Sequence, residues 1–249
     1  MQAETKYVVF PNAPITEAVF DIRVQLPEKV TLKDLDSLYP KIQDRFPERK
    51  ERFSFEAGIQ FSSKGSSGFQ ASQNPDGYLY RSPINKKVVQ SRLDGFTFNK
   101  LRPYEQWESF SSEAQELWNT YVQTVKPIKA VRIALRYINR IMIPLPIDSF
   151  KEYILTTPEI APDLPQGLSQ FFMRLIIPDS EINAIAVITQ TMEEPKGGYL
   201  PYIFDIDVFK EQAYDVAGTE MWNDFEKLRM FKNGIFFKST TDKAKELFK

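Results

Sequence analysis

A regular alternation of side chains over residues 129–146, KAVRIALRYINRIMIPLP, is the feature that most constrains the fold. Because successive side chains of a β-strand point to opposite faces, this pattern predicts one long strand. One predicted face carries Val131, Ile133, Leu135, Tyr137, Ile141 and Ile143. The other face carries Arg132, Arg136 and Arg140 in a row, with Ala134, Ile138 and Met142 between them. We therefore expect a sheet with one buried face and one face that bears guanidinium groups.

Two further segments have a clear period. Residues 15–26 alternate in the same way, and they place Glu17, Asp21 and Arg23 opposite the apolar face. Residues 104–125 repeat apolar side chains every three or four positions, which predicts a helix of about six turns. A helix begun by Thr31 is predicted to run through Phe46, with a kink or a break into two short helices at Pro40.

The remaining elements are predicted from turn residues and shorter patterns. Between residues 51 and 101 the period falls to two, and turns are predicted at residues 65–68, residues 74–77 and Asp94-Gly95. Strands are predicted at residues 168–177, 182–190 and 200–209. Helices are predicted at residues 147–155, 219–231 and 241–248, the second of them capped by Asn233-Gly234.

The order of these elements indicates an internal duplication. Residues 1–126 and 127–249 each run strand, helix, several strands, helix, although residue identity between the halves is weak. The predicted fold class is therefore α+β: a duplicated β-α-β(n)-α unit in one compact domain, mostly antiparallel, with helices packed on one face.

Composition excludes several kinds of chemistry. The chain has no cysteine and no histidine. Disulfides, thiolate nucleophiles, imidazole bases and sites that need either ligand are therefore excluded. An enzyme built from this sequence would depend on carboxylates, lysine, tyrosine, arginine or a metal held by oxygen ligands.

Charge and hydropathy bear on partners and compartment. The formal net charge of −1 provides no overall attraction to nucleic acid or to an anionic membrane. The sequence contains no apolar run of the ~20 residues that a membrane helix needs, and its first residues lack the pattern of a signal peptide. We expect a cytoplasmic protein with no membrane association and with no cofactor.

Four stretches carry a resemblance to a known family: PNAPITEAVFDIR (11–23), KLRPYEQWESF (100–110), ALRYINRIMIP (134–144) and FEKLRMFKNGIFFKSTTDKAKELF (225–248). With them the chain resembles an uncharacterised, sporadically distributed prokaryotic family of similar length. The resemblance spans nearly the whole chain, but it implies no activity, ligand or catalytic residue.

The arginine row has two interpretations. Arginine offers a planar fork of donors, so Arg132, Arg136 and Arg140 are candidates for binding phosphate or another anion. Alternatively, carboxylates on neighbouring strands neutralise the row, each cross-strand pair contributing roughly 0.2–1 kcal/mol. The carboxylates expected on that face are Glu17, Asp21, Asp205 and Asp207.

The candidate ligand-binding residues are Arg132, Arg136, Arg140, Glu17, Arg23 and Arg102. The leading hypothesis is a non-enzymatic binding protein that holds a partner protein or an anionic ligand on the arginine-bearing sheet face or in a cavity between sheet and helices. The alternative is a carboxylate enzyme that uses Mg²⁺ on nucleotides or nucleic acid, with Asp205 and Asp207 as ligands.

Overall fold

The computed structural model describes the backbone of residues 7–61 and 67–249 and the side chains of residues 7–54 and 74–249. The described part of the chain is α+β and contains one antiparallel sheet of nine strands. The strands are β1 (Ile15–Gln25), β2 (Glu48–Phe61), β3 (Ser67–Ser82), β4 (Lys87–Arg92), β5 (Gly95–Leu101), β6 (Lys129–Pro144), β7 (Phe172–Asp179), β8 (Ala184–Met192) and β9 (Tyr199–Tyr214). The helices are α1 (Leu32–Asp36), α2 (Tyr39–Ile42), α3 (Trp107–Val125), α4 (Glu220–Ser239) and α5 (Asp242–Glu246).

The strand order across the sheet is β2-β3-β4-β5-β1-β6-β9-β8-β7. The central pair is β1 and β6, in which Val19 lies opposite Arg136 and Ile22 opposite Ile133. On its other side β6 pairs with β9, where Arg136 lies opposite Asp207 and Ile138 opposite Asp205. This register brings charged side chains of three adjacent strands to the same face of the sheet.

The helices pack on the opposite, apolar face. Phe20 of β1 is fully buried between aromatic rings of both long helices, with Phe110 of α3 at 5.2 Å and Phe225 of α4 at 4.4 Å between ring centroids. Such clusters of offset rings contribute more than their buried area alone. Among the described residues, no helix has both the length and the apolar character needed to cross a bilayer.

Several expectations from the sequence are confirmed. The structure contains the alternating strands β1 and β6 and the hairpin of β4 and β5 around Leu93 and Asp94. It also contains the long amphipathic helix, which is α3. The helix around Pro40 is broken into α1 and α2. Of the turn predicted at residues 65–68, Gly65 and Ser66 lie outside the described residues.

Other expectations are wrong. Residues 74–77 do not form a turn but lie inside β3, where the register with β2 shifts between Arg52 and Phe53. A strand bulge uses the same turn-forming residue types, so the sequence alone suggested a turn. The helix predicted at residues 147–155 is only a 3₁₀ turn, Phe150–Glu152. The helix predicted to end at residue 231 instead continues as α4 through Gly234 to Ser239, and Phe236 in its last turns is buried.

Candidate functional site

The structure presents two candidate sites, one on each face of the sheet. The first is a groove of about 590 Å³ on the face that carries the arginine row. Five arginines line this charged groove: Arg23, Arg52, Arg92, Arg132 and Arg136. They come from β1, β2, β4 and β6, so only the sheet pairing brings them together.

Carboxylates neutralise the arginines of the charged groove. Asp21 is the centre of this network: Arg92 donates to it at 2.6 Å, Thr97 at 2.9 Å and Arg132 at 3.2 Å. Burial by itself raises the pKa of the Asp21 carboxyl, but the guanidinium groups of Arg92 and Arg23 outweigh burial, so the pKa lies below its ordinary value. Asp21 is therefore a charged structural hub.

The rest of the arginine row is paired in the same way. Arg136 donates to Asp205 at 2.6 Å and 3.0 Å, an interaction that raises the pKa of its guanidinium. Arg140 donates to Glu193 at 2.6 Å and does not line the charged groove. Bidentate pairs of this kind are geometrically specific and occupy the donors that an anionic ligand would need.

Two carboxylates of this face have weaker partners. Asp207 lies 3.8 Å from Arg132, and burial, the largest effect, raises the pKa of its carboxyl. Glu17 accepts a hydrogen bond from Asn99 at 2.5 Å rather than from an arginine. No group of three or more carboxylates able to hold a metal ion occurs among the residues with described positions.

Two other predicted ligand residues differ in position: Arg23 lines the charged groove, and Arg102 lies outside it. Arg23 pairs with Asp94 and with Asp21 at the rim of the charged groove. Arg102 is exposed beyond the end of β5, and it lines neither the charged groove nor the second site. The six residues predicted together therefore divide among the groove, its ends and the surface.

The second site is a cavity of about 390 Å³ between the helices and the sheet. We call it the sheet–helix cavity. Its walls are residues 7–10 and 13–15, residues 104–108 before and at the start of α3, Tyr137 and Asn139 of β6, and six residues of α4, Arg229, Met230, Lys232, Asn233, Phe236 and Phe237. Cavities of this volume with mostly apolar walls and a few polar groups are the usual form of small-molecule sites.

Aromatic rings and two hydroxyl groups shape the interior of the sheet–helix cavity. The hydroxyls of Tyr104 and Tyr137 lie 2.9 Å apart and share a hydrogen bond. Burial raises the pKa of Tyr104 to about 12 and that of Tyr137 well above its ordinary value, so both hydroxyls stay protonated. Asn139 is held by the carbonyl of Phe204 at 2.9 Å, which fixes the polar edge of β6 at the cavity wall.

Lys232 is the residue of the cavity that sequence reasoning missed. It is 8% exposed, and its ammonium nitrogen lies 3.6 Å from the centre of the Tyr137 ring. The available signal was spacing, because Leu228, Lys232 and Phe236 recur at intervals of four on the buried side of α4. The prediction ended this helix at Phe231, one residue before Lys232, and so concealed the position.

No protein-family model and no curated protein matches this sequence. The functional argument therefore rests on the geometry of the two sites.

Proposed function

We propose that this chain is a non-enzymatic binding protein that holds a small molecule in the sheet–helix cavity. The observation that carries the proposal is the convergence of four separate stretches on one volume. The cavity is lined by residues 13–15, by residues 104–108, by Tyr137 and Asn139, and by six α4 residues from Arg229 to Phe237. These are segments of the four stretches that carry the family resemblance described above.

The charged groove is a poorer choice for the ligand. Each arginine that lines it has a carboxylate partner, so an incoming anion would have to displace an existing ion pair. If an anionic ligand displaced one of these ion pairs, the net gain in binding free energy would be small, because the released carboxylate would have to be resolvated or left unpaired. The sheet–helix cavity, by contrast, offers apolar walls that are incompletely covered.

A neutral fluorescent probe tests the proposal. We expect N-phenyl-1-naphthylamine to bind the wild-type protein with increased emission, since its rings would leave water for the apolar walls. Asn233→Trp should weaken binding at least tenfold by filling the cavity. Lys238→Trp, an exposed position of the same helix, is the matched control and should bind as wild type. Equal affinity in Asn233→Trp and wild type would contradict the proposal, as would no binding by any of the three proteins.

We also infer that the two halves of the chain descend from a duplication. In support, β1 and β6 are neighbours at the centre of the sheet, and each pairs with the last strand of its own half, β5 or β9. Superposition of residues 15–125 on residues 129–233 tests this inference. Equivalent strands and equivalent long helices should coincide, and a match limited to one hairpin would refute it.

A further inference from the structure

Two cations, Arg229 and Lys232, line the sheet–helix cavity, and among the described residues only Arg229 has an anionic partner. Arg229 donates to Glu226 at 3.0 Å, lies 3.6 Å from Glu108, and stacks over the Trp107 ring at 5.3 Å. Its charge is therefore balanced by two carboxylates at the wall of the cavity.

Lys232 has no carboxylate within ion-pair distance among the described residues. Its ammonium lies over the Tyr137 ring, and this cation–π contact stabilises its charge, whereas the nearby charge of Arg229 opposes it. Burial, followed by the charge of Arg229, lowers the pKa of the Lys232 ammonium to about 7.

Lys232 differs from a second buried lysine, Lys210, in the partner of its ammonium group. Lys210 of β9 is 6% exposed, and it donates to Asp224 of α4 at 2.5 Å. Lys100 of β5, also buried, donates to the carbonyl of Asn85 at 3.1 Å and lies 3.8 Å from Glu105. Lys232, by contrast, has no carboxylate at such a distance among the described residues, and it lines open volume.

We propose that the ligand of the sheet–helix cavity is an organic monoanion, a carboxylate on an aromatic or aliphatic body, whose charged group pairs with Lys232. This inference rests on the proposed function, since it names the class of the molecule that the cavity holds. The body of the ligand packs against Trp107, Phe236 and Phe237, which line the same volume. One ammonium balances one negative charge, so a dianion such as a phosphate monoester would retain an unpaired charge in an apolar site.

The charge state of Lys232 gives the proposal a signature. An anion binds the ammonium form, so affinity for a carboxylate should fall as pH rises from 6 to 9 and the free protein loses this proton. The other ionisable groups that line the cavity with Lys232 are Arg229 on α4, Glu105 and Glu108 near the start of α3, and three tyrosines, Tyr7, Tyr104 and Tyr137; Glu226 of α4 pairs with Arg229. Tyr104 and Tyr137 do not titrate in this range because burial raises both pKa values.

The test compares 2-naphthoate with 2-naphthamide, which have nearly the same shape and differ in charge. By calorimetry at pH 6, we expect naphthoate to bind wild type at least tenfold more tightly than naphthamide. The preference should disappear in Lys232→Met and persist in Lys232→Arg. In wild type, naphthoate affinity should fall toward pH 9 while naphthamide affinity stays constant.

The outcomes separate the two proposals. If both compounds bind wild type equally and without dependence on pH, the cavity binds ligands but the carboxylate assignment is wrong. If neither compound binds, both proposals are wrong. Should Lys232→Met fail to fold, the pH profile of the wild-type protein decides the question on its own.

Discussion

The ammonium nitrogen of Lys232 lies 3.6 Å from the centre of the Tyr137 ring, which joins the middle of α4 to the central strand of the sheet. Tyr137 also shares a hydrogen bond with Tyr104, the residue that leads into α3. One ring on β6 therefore organises contacts from both long helices. The sheet–helix cavity forms where these three elements meet, so Tyr137, Asn139 and Lys232 at its walls are held on regular structure.

The first prediction concerns the stability cost of Lys232. Because burial lowers the pKa of Lys232 to about 7, the unfolded chain binds one more proton than the folded chain between this value and the ordinary lysine pKa. The cost is fully present below pH 7 and declines as pH rises. Relative to Lys232→Met, the unfolding free energy of wild type should rise by about 1.4 kcal/mol per pH unit between pH 7 and 9.

Urea unfolding at several pH values measures this difference. Lys238→Met, an exposed position on the same helix, serves as the control and should change no slope. A constant difference between wild type and Lys232→Met over the range would show that the buried amine keeps an ordinary pKa.

The second prediction concerns Asp21 at the centre of the charged groove. Asp21→Asn removes the carboxylate that Arg92 and Arg132 share and leaves the buried Arg92 with Asp94 alone, at 3.0 Å, so it should cost about 3 kcal/mol of unfolding free energy at pH 7. The pKa of Asp21 is lowered, so its contribution is present above the ordinary aspartate pKa and is lost as pH falls through the folded-state value. The difference between variant and wild type should therefore shrink at pH 2 to 3, as measured by urea unfolding.

Asp207→Asn is the comparison for Asp21→Asn on the same face. Burial raises the pKa of Asp207, and Arg132 is 3.8 Å away, so removal of its charge should be nearly neutral at pH 7. Equal losses in the two variants would mean that Asp21 is not the hub of the network.

The third prediction concerns the close approach of strands at Gly95. A Cβ at Gly95 would lie 2.3 Å from the carbonyl oxygen of Ile22 on the neighbouring strand. Gly95→Ala should therefore displace β5 from β1 and lower the unfolding free energy by about 2 kcal/mol. Gly167→Ala, where no atom lies within 4 Å of the added carbon, should change stability by less than about 0.5 kcal/mol. Thermal denaturation of the two variants makes the comparison.

The fourth prediction concerns β7, the last strand of the sheet. Phe172 and Ile176 on this strand are 71% and 61% exposed, beside a backbone edge with no neighbour in the described sheet. Exposed apolar edges favour pairing with other chains. Ile176→Lys should lower the light scattering of concentrated protein, whereas Ile84→Lys, at a still more exposed position on the turn between β3 and β4, should lower it less. A larger decrease in light scattering for Ile84→Lys than for Ile176→Lys would show that β7 is not the site of self-association.

Local patterns were sufficient for the long elements. The alternation in β1 and β6 and the three-to-four spacing in α3 follow directly from which side chains must leave water. Local patterns failed where the same residue types are compatible with two kinds of local structure. Residues 74–77 suit a turn as well as a bulge, and only pairing with β2 selects the bulge. Asn233 and Gly234 suit a helix end, but they lie inside α4, which continues to Ser239 and buries Phe236.

The candidate sites divide in the same way. The sequence alone determined that one strand would turn Arg132, Arg136 and Arg140 to a single face, because strand geometry has a period of two. Only the tertiary structure decided which carboxylates meet them, since Asp21, Asp205 and Glu193 come from other strands or follow them. The same holds for Lys232. Its place on the buried side of α4 follows from spacing, whereas the absence of a carboxylate beside it, within the described part of the chain, depends on which residues the fold brings opposite it.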